Sequence, residues 1–258
     1  MFVRLLCALA ALILAQPVAA RETGFLDRQL TVAGERYDYQ VYVPRGVKTT
    51  RGMPIILALH GAGERGSDGL LQTQVGLGGG IRQHVDRWPA IVVMPQVRAG
   101  RLWQNSEGVA LGALAAAERE FGTDRDRVYL AGLSMGGNGT WKLAYQNPGR
   151  FAAIVVICGF VEPIRIPNRD YQPIVAATGG DPFTAMAAKL GRLPVWIVHG
   201  DADAVVPVTD SRRMAAALRT AGGRFTYKEL PGVNHNAWDP AFADPALPEW
   251  LFAQRRGR

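Results

Sequence analysis

Apolar positions along the chain fall into two arrangements. Residues 25–31 and 37–43 read as two strands around Ala33-Gly34-Glu35, an antiparallel hairpin. Beyond residue 50 the apolar positions come as short runs separated by helical stretches. Strands are predicted at 55–59, 91–94, 128–133, 153–157, 195–199 and 225–230. Helices are predicted at 109–121, at 136–146 (stopped by Pro148), at 211–221 (ended by Gly222-Gly223), with a short one at 183–190. Near-continuous runs such as Ile154-Val155-Val156-Ile157 suit strands buried on both faces. Strands alternating with helices imply right-handed crossovers and a mostly parallel sheet covered on both sides. The expected fold class is therefore α/β, as one domain over 21–258, because no repeat, low-complexity segment or Pro/Ser-rich linker divides the chain.

The first 20 residues follow a different pattern. Arg4 is their only charge, residues 5–15 are an apolar run, and Pro17-Val18-Ala19-Ala20 ends in small side chains. That is the layout of a secretory signal peptide cleaved after Ala20. The run is shorter than the ~20 apolar residues a bilayer span needs, so no stable membrane insertion is expected after cleavage, and the location would be periplasmic or secreted. Cleavage would leave one cysteine, Cys158, inside an apolar run where a buried, inert thiol is expected. The formal charge of +7 comes from scattered basic residues such as Arg82, Arg98, Arg125 and Arg212. They suit solvated faces or a general attraction to anionic surfaces. No interleaving of basic and aromatic side chains suggests nucleic-acid binding. Paired cysteines, an H-E-x-x-H and a Gly-rich dinucleotide fingerprint are all missing, so neither metal nor cofactor is expected.

Chemistry concentrates at Gly132-Leu133-Ser134-Met135-Gly136. This G-x-S-x-G follows a predicted strand and precedes a predicted helix, the setting of a nucleophile elbow. The glycines are needed because a strand turning sharply into a helix leaves no room for side chains on either side of the serine. A serine hydroxyl is a weak nucleophile without a base. Of His60, His84, His199 and His235, only His235 lies downstream on a loop directly after the last predicted strand, at the edge of the sheet that carries Ser134. An acid should hold the imidazole's other nitrogen, and the stretch after strand 195–199 offers Asp201 and Asp203. One oxyanion donor should be the backbone N–H of Met135.

The chain resembles the carboxylesterase and phospholipase-like branch of the α/β-hydrolases, secreted esterases and predicted peptidases related to feruloyl esterases and polyhydroxybutyrate depolymerases. The resemblance rests on residues 59–66 (Leu-His-Gly-Ala-Gly-Glu-Arg-Gly), 132–137, 199–207 and His235 with Asn236-Ala237-Trp238, and it covers roughly 40–252. In the family's H-G-x-x-D-x-x-V-P pattern the acid corresponds to Asp203, leaving Asp201 to brace its loop. The resemblance implies the N–H of Ala62 as second oxyanion donor, and a serine hydrolase cleaving small-molecule or polysaccharide-linked carboxylic esters. A peptidase with the same three residues, and a non-catalytic binding module on the same fold, are the competing readings. Trp103, Tyr171 and Trp238 are candidates for the walls of the substrate pocket.

Overall fold

The computed structural model describes residues 22–167, 169–176 and 179–257, so the predicted signal peptide lies outside the described residues. Eight strands form one sheet in the order β1-β2-β4-β3-β5-β6-β7-β8. β1 (Gly24–Val32) and β2 (Glu35–Val43) form the antiparallel hairpin, and β2 runs antiparallel to β4 (Ile91–Pro95). From β4 outward every neighbouring pair is parallel, through β3 (Ile55–Leu59), β5 (Val128–Leu133), β6 (Ala153–Ile157), β7 (Val195–Gly200) and β8 (Phe225–Leu230). The predicted α/β-hydrolase architecture, a hairpin leading into a mostly parallel sheet, is the one observed.

Helices cover both faces, and the core divides accordingly. One cluster joins Val41, Leu57, Val93, Leu130 and Ile197 to α2 (Glu107–Phe121), α3 (Met135–Gln146), α4 (Pro182–Leu190) and α5 (Thr209–Thr220). The other packs Ile56, Val92, Tyr129 and Trp196 against α1 (Leu77–Gln83), α6 (Trp238–Ala243) and α7 (Ala246–Phe252). Strands β3 to β7 are buried almost throughout, which explains their unbroken apolar runs.

The predicted strands agree with the observed ones to within a few residues at each end. Three helices escaped the sequence reading for identifiable reasons. The sequence of α1 is Leu-Gly-Gly-Gly-Ile-Arg-Gln, whose three glycines argue against a helix on propensity. A Cβ at Gly78 would collide with the Thr73 backbone and one at Gly80 would press on Phe242, so close packing dictates those residues. Helices α6 and α7 each carry a proline, at Pro240 and Pro248, within the first three residues, where a missing N–H costs no intrahelical bond.

Candidate active site

All the parallel strands point their C-terminal ends at one edge of the sheet, where the segments after β5, β7 and β8 each deliver one candidate side chain. Ser134 sits between β5 and α3 at φ 53°, ψ −116°, a strained conformation for a residue with a Cβ. The neighbouring sequence makes that turn possible. A Cβ on Gly132 would collide with the carbonyl of Gly136, and one on Gly136 with the carbonyl of Leu59. The strained residue is held from both sides, by its N–H to the Ile157 carbonyl (2.8 Å) and its own carbonyl to the N–H of Asn138 (3.0 Å).

His235 reaches across from the loop after β8. Its Nε2 lies 2.9 Å from Ser134 Oγ, and its Nδ1 lies 2.7 Å from Asp203 Oδ2. With Nδ1–H donated to the carboxylate, Nε2 is free to accept the serine proton. Asp203, on the loop after β7, has a side chain with no solvent exposure. Burial alone would push its carboxyl up. Hydrogen bonds from His199 and His235 and from the N–H groups of Val206 and Val205 outweigh that, so the group lies well below the usual carboxylate range. Its Oδ1 accepts from the N–H groups of Val205 and Val206 at 2.8 and 2.9 Å.

Two residues in this network were not expected to act in it, although His199 opens the pattern that pointed to Asp203. His199, at the end of β7 and fully buried, places Nε2 3.2 Å from Asp203 Oδ2 and 3.0 Å from the Val206 carbonyl. Its Nδ1 lies 2.7 Å from Ser211 Oγ, so the serine donates there and Nε2 keeps its hydrogen for the acid loop. Asn234 joins the acid and base loops, its Oδ1 accepting from the N–H of Ala204 (3.0 Å) and of His235 (2.7 Å). Asp201 accepts from the N–H of Gly232 at 2.6 Å, bracing the turn before the histidine. The H-G of the acid motif thus has a physical basis. The histidine grips the aspartate, while the glycine lets the backbone carbonyl of Val233 come so close that a Cβ on Gly200 would strike it.

The oxyanion candidates lie on adjoining segments. Met135 opens α3 and Ala62 opens a 3-10 turn, Ala62–Glu64, and first-turn N–H groups have no intrahelical acceptor. The start of α3 abuts the end of β3, since a Cβ on Gly136 would also press on the His60 carbonyl. His60 braces this loop. Its Nδ1 donates to the Gly61 carbonyl (2.6 Å), and its Nε2 accepts from the N–H of Val97 (3.1 Å). Burial, partly opposed by the Gly61 bond, lowers its pKa to about 4, so it is neutral at pH 7. Arg65 donates to the Ala62 carbonyl at 2.9 Å.

Of the aromatic candidates, Trp238 stands edge-on to the His235 ring, centroids 5.3 Å apart. Trp103 is 2% exposed and donates its indole N–H to the His60 carbonyl at 2.9 Å, which makes it a support of the loop from beneath. Tyr171, 5% exposed, packs edge-on against Phe160. Between β6 and β7 only α4 interrupts the connecting loop among the described residues. Cys158, at the end of β6, is buried with Sγ 3.3 Å from the His235 carbonyl. Burial, with Asp203 adding to it, raises its thiol to about 12. Cys158, His199 and Asp203 are the group among the described residues whose ligand atoms gather closely enough for a metal, within 4.8 Å. Those atoms are already engaged with the base loop, Ser211 and the Val205–Val206 backbone.

The fold and this arrangement at its C-terminal edge define an α/β-hydrolase. Residues 105–247 match the prolyl oligopeptidase family, and the chain belongs to that family. A thermostable esterase of known crystal structure is 30% identical and superposes with a TM-score of 0.71 over 90% of this chain and 63% of its own. The poly(3-hydroxybutyrate) depolymerase of Ralstonia pickettii is 24% identical over 213 residues, covering 74% of this chain and 44% of the depolymerase. An uncharacterised secreted protein of Arthroderma benhamiae is 26% identical over 206 residues, 71% of this chain and 21% of that protein. The chain spans less than half the length of these curated relatives. The neighbours support a hydrolase.

Proposed function

We propose that the protein is an exported serine esterase in which Ser134 is the nucleophile, His235 the general base and Asp203 the acid that orients it. The observation that carries this reading is the unbroken chain of contacts from Ser134 Oγ through the imidazole to the Asp203 carboxylate, at 2.9 and 2.7 Å. His235 removes the hydroxyl proton as Ser134 attacks the ester carbonyl, and the N–H groups of Ala62 and Met135 receive the developing oxyanion. His235 then protonates the departing alcohol and afterwards activates water to release the acid from the acyl-serine. Asp203, held well below the usual carboxylate range, stays ionised throughout and stabilises the imidazolium. Trp238, against the imidazole ring, is the aromatic best placed to touch substrate.

Ester rather than amide substrates are supported by the esterase and polyester depolymerase relatives. The family match to prolyl oligopeptidases supports the second reading, a peptidase using the same three residues. Export is supported by the N-terminal pattern of residues 1–20 and by the secreted relative. Turnover of p-nitrophenyl acetate, butyrate and octanoate, methyl ferulate and a peptide p-nitroanilide tests both readings, with Ser134→Ala as control. The esterase reading expects ester turnover that the variant loses. Amide turnover with little ester turnover would replace it, and failure of a fluorophosphonate to label Ser134 in folded protein would end both.

A further inference from the structure

Basic residues that look scattered along the sequence are gathered by the fold at the edge opposite Ser134. Arg127, Ala152, Pro194 and Arg224 immediately precede β5, β6, β7 and β8, so they mark the N-terminal edge of the sheet. Two grooves open there. One, of about 440 Å³, is lined by Arg192, Arg224, Arg255 and Arg256 over a floor that includes Phe151 and Leu190. The other, of about 530 Å³, is lined by Arg119, Arg125 and Arg150 and shares Arg256 with the first, so the two grooves adjoin and together make a basic track. Together with their ion-pair partners the grooves hold eight arginines, the eighth being Arg127, against three carboxylates, Glu118, Asp124 and Asp126. That excess of five is most of the chain's formal +7. Arg119, Arg125 and Arg192 are exposed, and none of them has a carboxylate partner among the described residues.

We infer that this track is a docking site for an acidic polysaccharide, holding the enzyme on a carboxylate-bearing polymer while the opposite edge stays free for catalysis. Its cations are arginines, as are 25 of the chain's 29 basic residues, and their planar forks pair bidentately with carboxylates as with phosphates, so the choice of a carboxylate polymer rests on what the grooves lack. A bilayer surface fits less well, because none of the exposed large apolar side chains, Leu70, Leu71, Val85 and Val205, lines either groove. Nucleic acid fits less well too, because the one aromatic lining the track, Phe151, is 3% exposed and offers no stacking face. The inference is independent of the assignment of the triad.

The test is binding of the full protein to polygalacturonate, with phosphatidylglycerol vesicles, a random single-stranded oligonucleotide and neutral dextran as comparators. The triple variant Arg119→Glu/Arg125→Glu/Arg192→Glu breaks no ion pair described above and touches no part of the candidate active site. Polygalacturonate binding is expected to weaken steeply between 50 and 300 mM salt, about as screening lengths shorten below ~10 Å. It should fall by about tenfold or more in the variant, while hydrolysis of p-nitrophenyl acetate stays within about twofold of the parent. The inference is overturned if the parent does not bind polygalacturonate at low salt, if the variant binds as well, or if vesicles or the oligonucleotide bind more tightly. Single Arg→Gln variants at 119, 125 and 192 provide the same readout should the triple variant misfold, each expected to weaken binding.

Discussion

Replacing His199 with leucine tests how the acid is held. Leucine has a similar volume, so the substitution chiefly removes hydrogen bonds. Asp203 Oδ2 loses one of its two donors, the Val206 carbonyl loses its partner, and Ser211 Oγ loses its acceptor, all in a site without solvent. A hydrogen bond to a buried charge contributes about 1.5–3 kcal/mol, and an orphaned buried polar group costs about 1–3 kcal/mol. Partial relaxation leaves about 3–5 kcal/mol of destabilisation, which in a domain of this size lowers Tm by roughly 10 °C. The pH dependence separates this cause from a mere packing defect. Asp203 is depressed in the folded state, so its ionisation stabilises the fold above the unfolded value of about 3.9 and that contribution is lost as pH falls through the folded value. Loss of the His199 bond raises the folded value and shrinks the contribution. In thermal melts between pH 2.5 and 8 the gap between parent and variant should therefore hold from pH 8 down to the variant's folded value and narrow only below it, because the parent's carboxylate stays ionised to lower pH. A gap that widens as pH falls would refute the electrostatic account, and an unchanged Tm at pH 7 would refute the whole argument.

Asp203→Asn keeps the shape of the site but offers His235 the wrong polarity, and should lower kcat by about 10³–10⁴ with little change in KM, measured by ester turnover. Gly136→Ala forces a methyl group into the Leu59 carbonyl, so circular dichroism should show a fold destabilised by at least about 3 kcal/mol or none at all. Cys158, buried with its thiol raised to about 12, should resist a disulfide reagent at pH 8 in folded protein and react stoichiometrically once guanidinium unfolds it. Asn234→Ala cuts the link between the acid and base loops; kcat should drop by about tenfold while Tm falls by only a few degrees.

Much of this molecule was legible because its signals are local. The runs that became β3 to β7 are buried on both faces, so apolar continuity alone marked them. The Gly-x-Ser-x-Gly turn is dictated by sterics within five residues. Choosing Asp203 over Asp201 required the resemblance, since both follow β7 and spacing alone does not favour either. What remained hidden depends on contacts between segments distant in sequence. Gly78 and Gly80 are glycines because Thr73 and Phe242 press on α1, and nothing in the local sequence reveals that pressure. His199 and Asn234 act through partners 4 to 30 residues away, on neighbouring loops. Trp103 reads as a pocket wall because any aromatic does, whereas its indole hydrogen bond to the His60 carbonyl places it underneath the loop that carries Ala62.

The position of β8 has a consequence for how the protein would fail on heating. It is the outermost strand, paired on one side only, and each of its six residues is partly solvent-accessible, whereas β5 lies in the middle of the sheet. The proposed base, His235, thus hangs from an edge strand and the proposed nucleophile, Ser134, from one of the best protected. Edge strands are the first to fray, at free energies well short of global unfolding. Heating should detach His235 from Ser134 while the central sheet is intact, so that hydrolysis ceases several degrees before the far-ultraviolet signal melts and returns promptly on cooling.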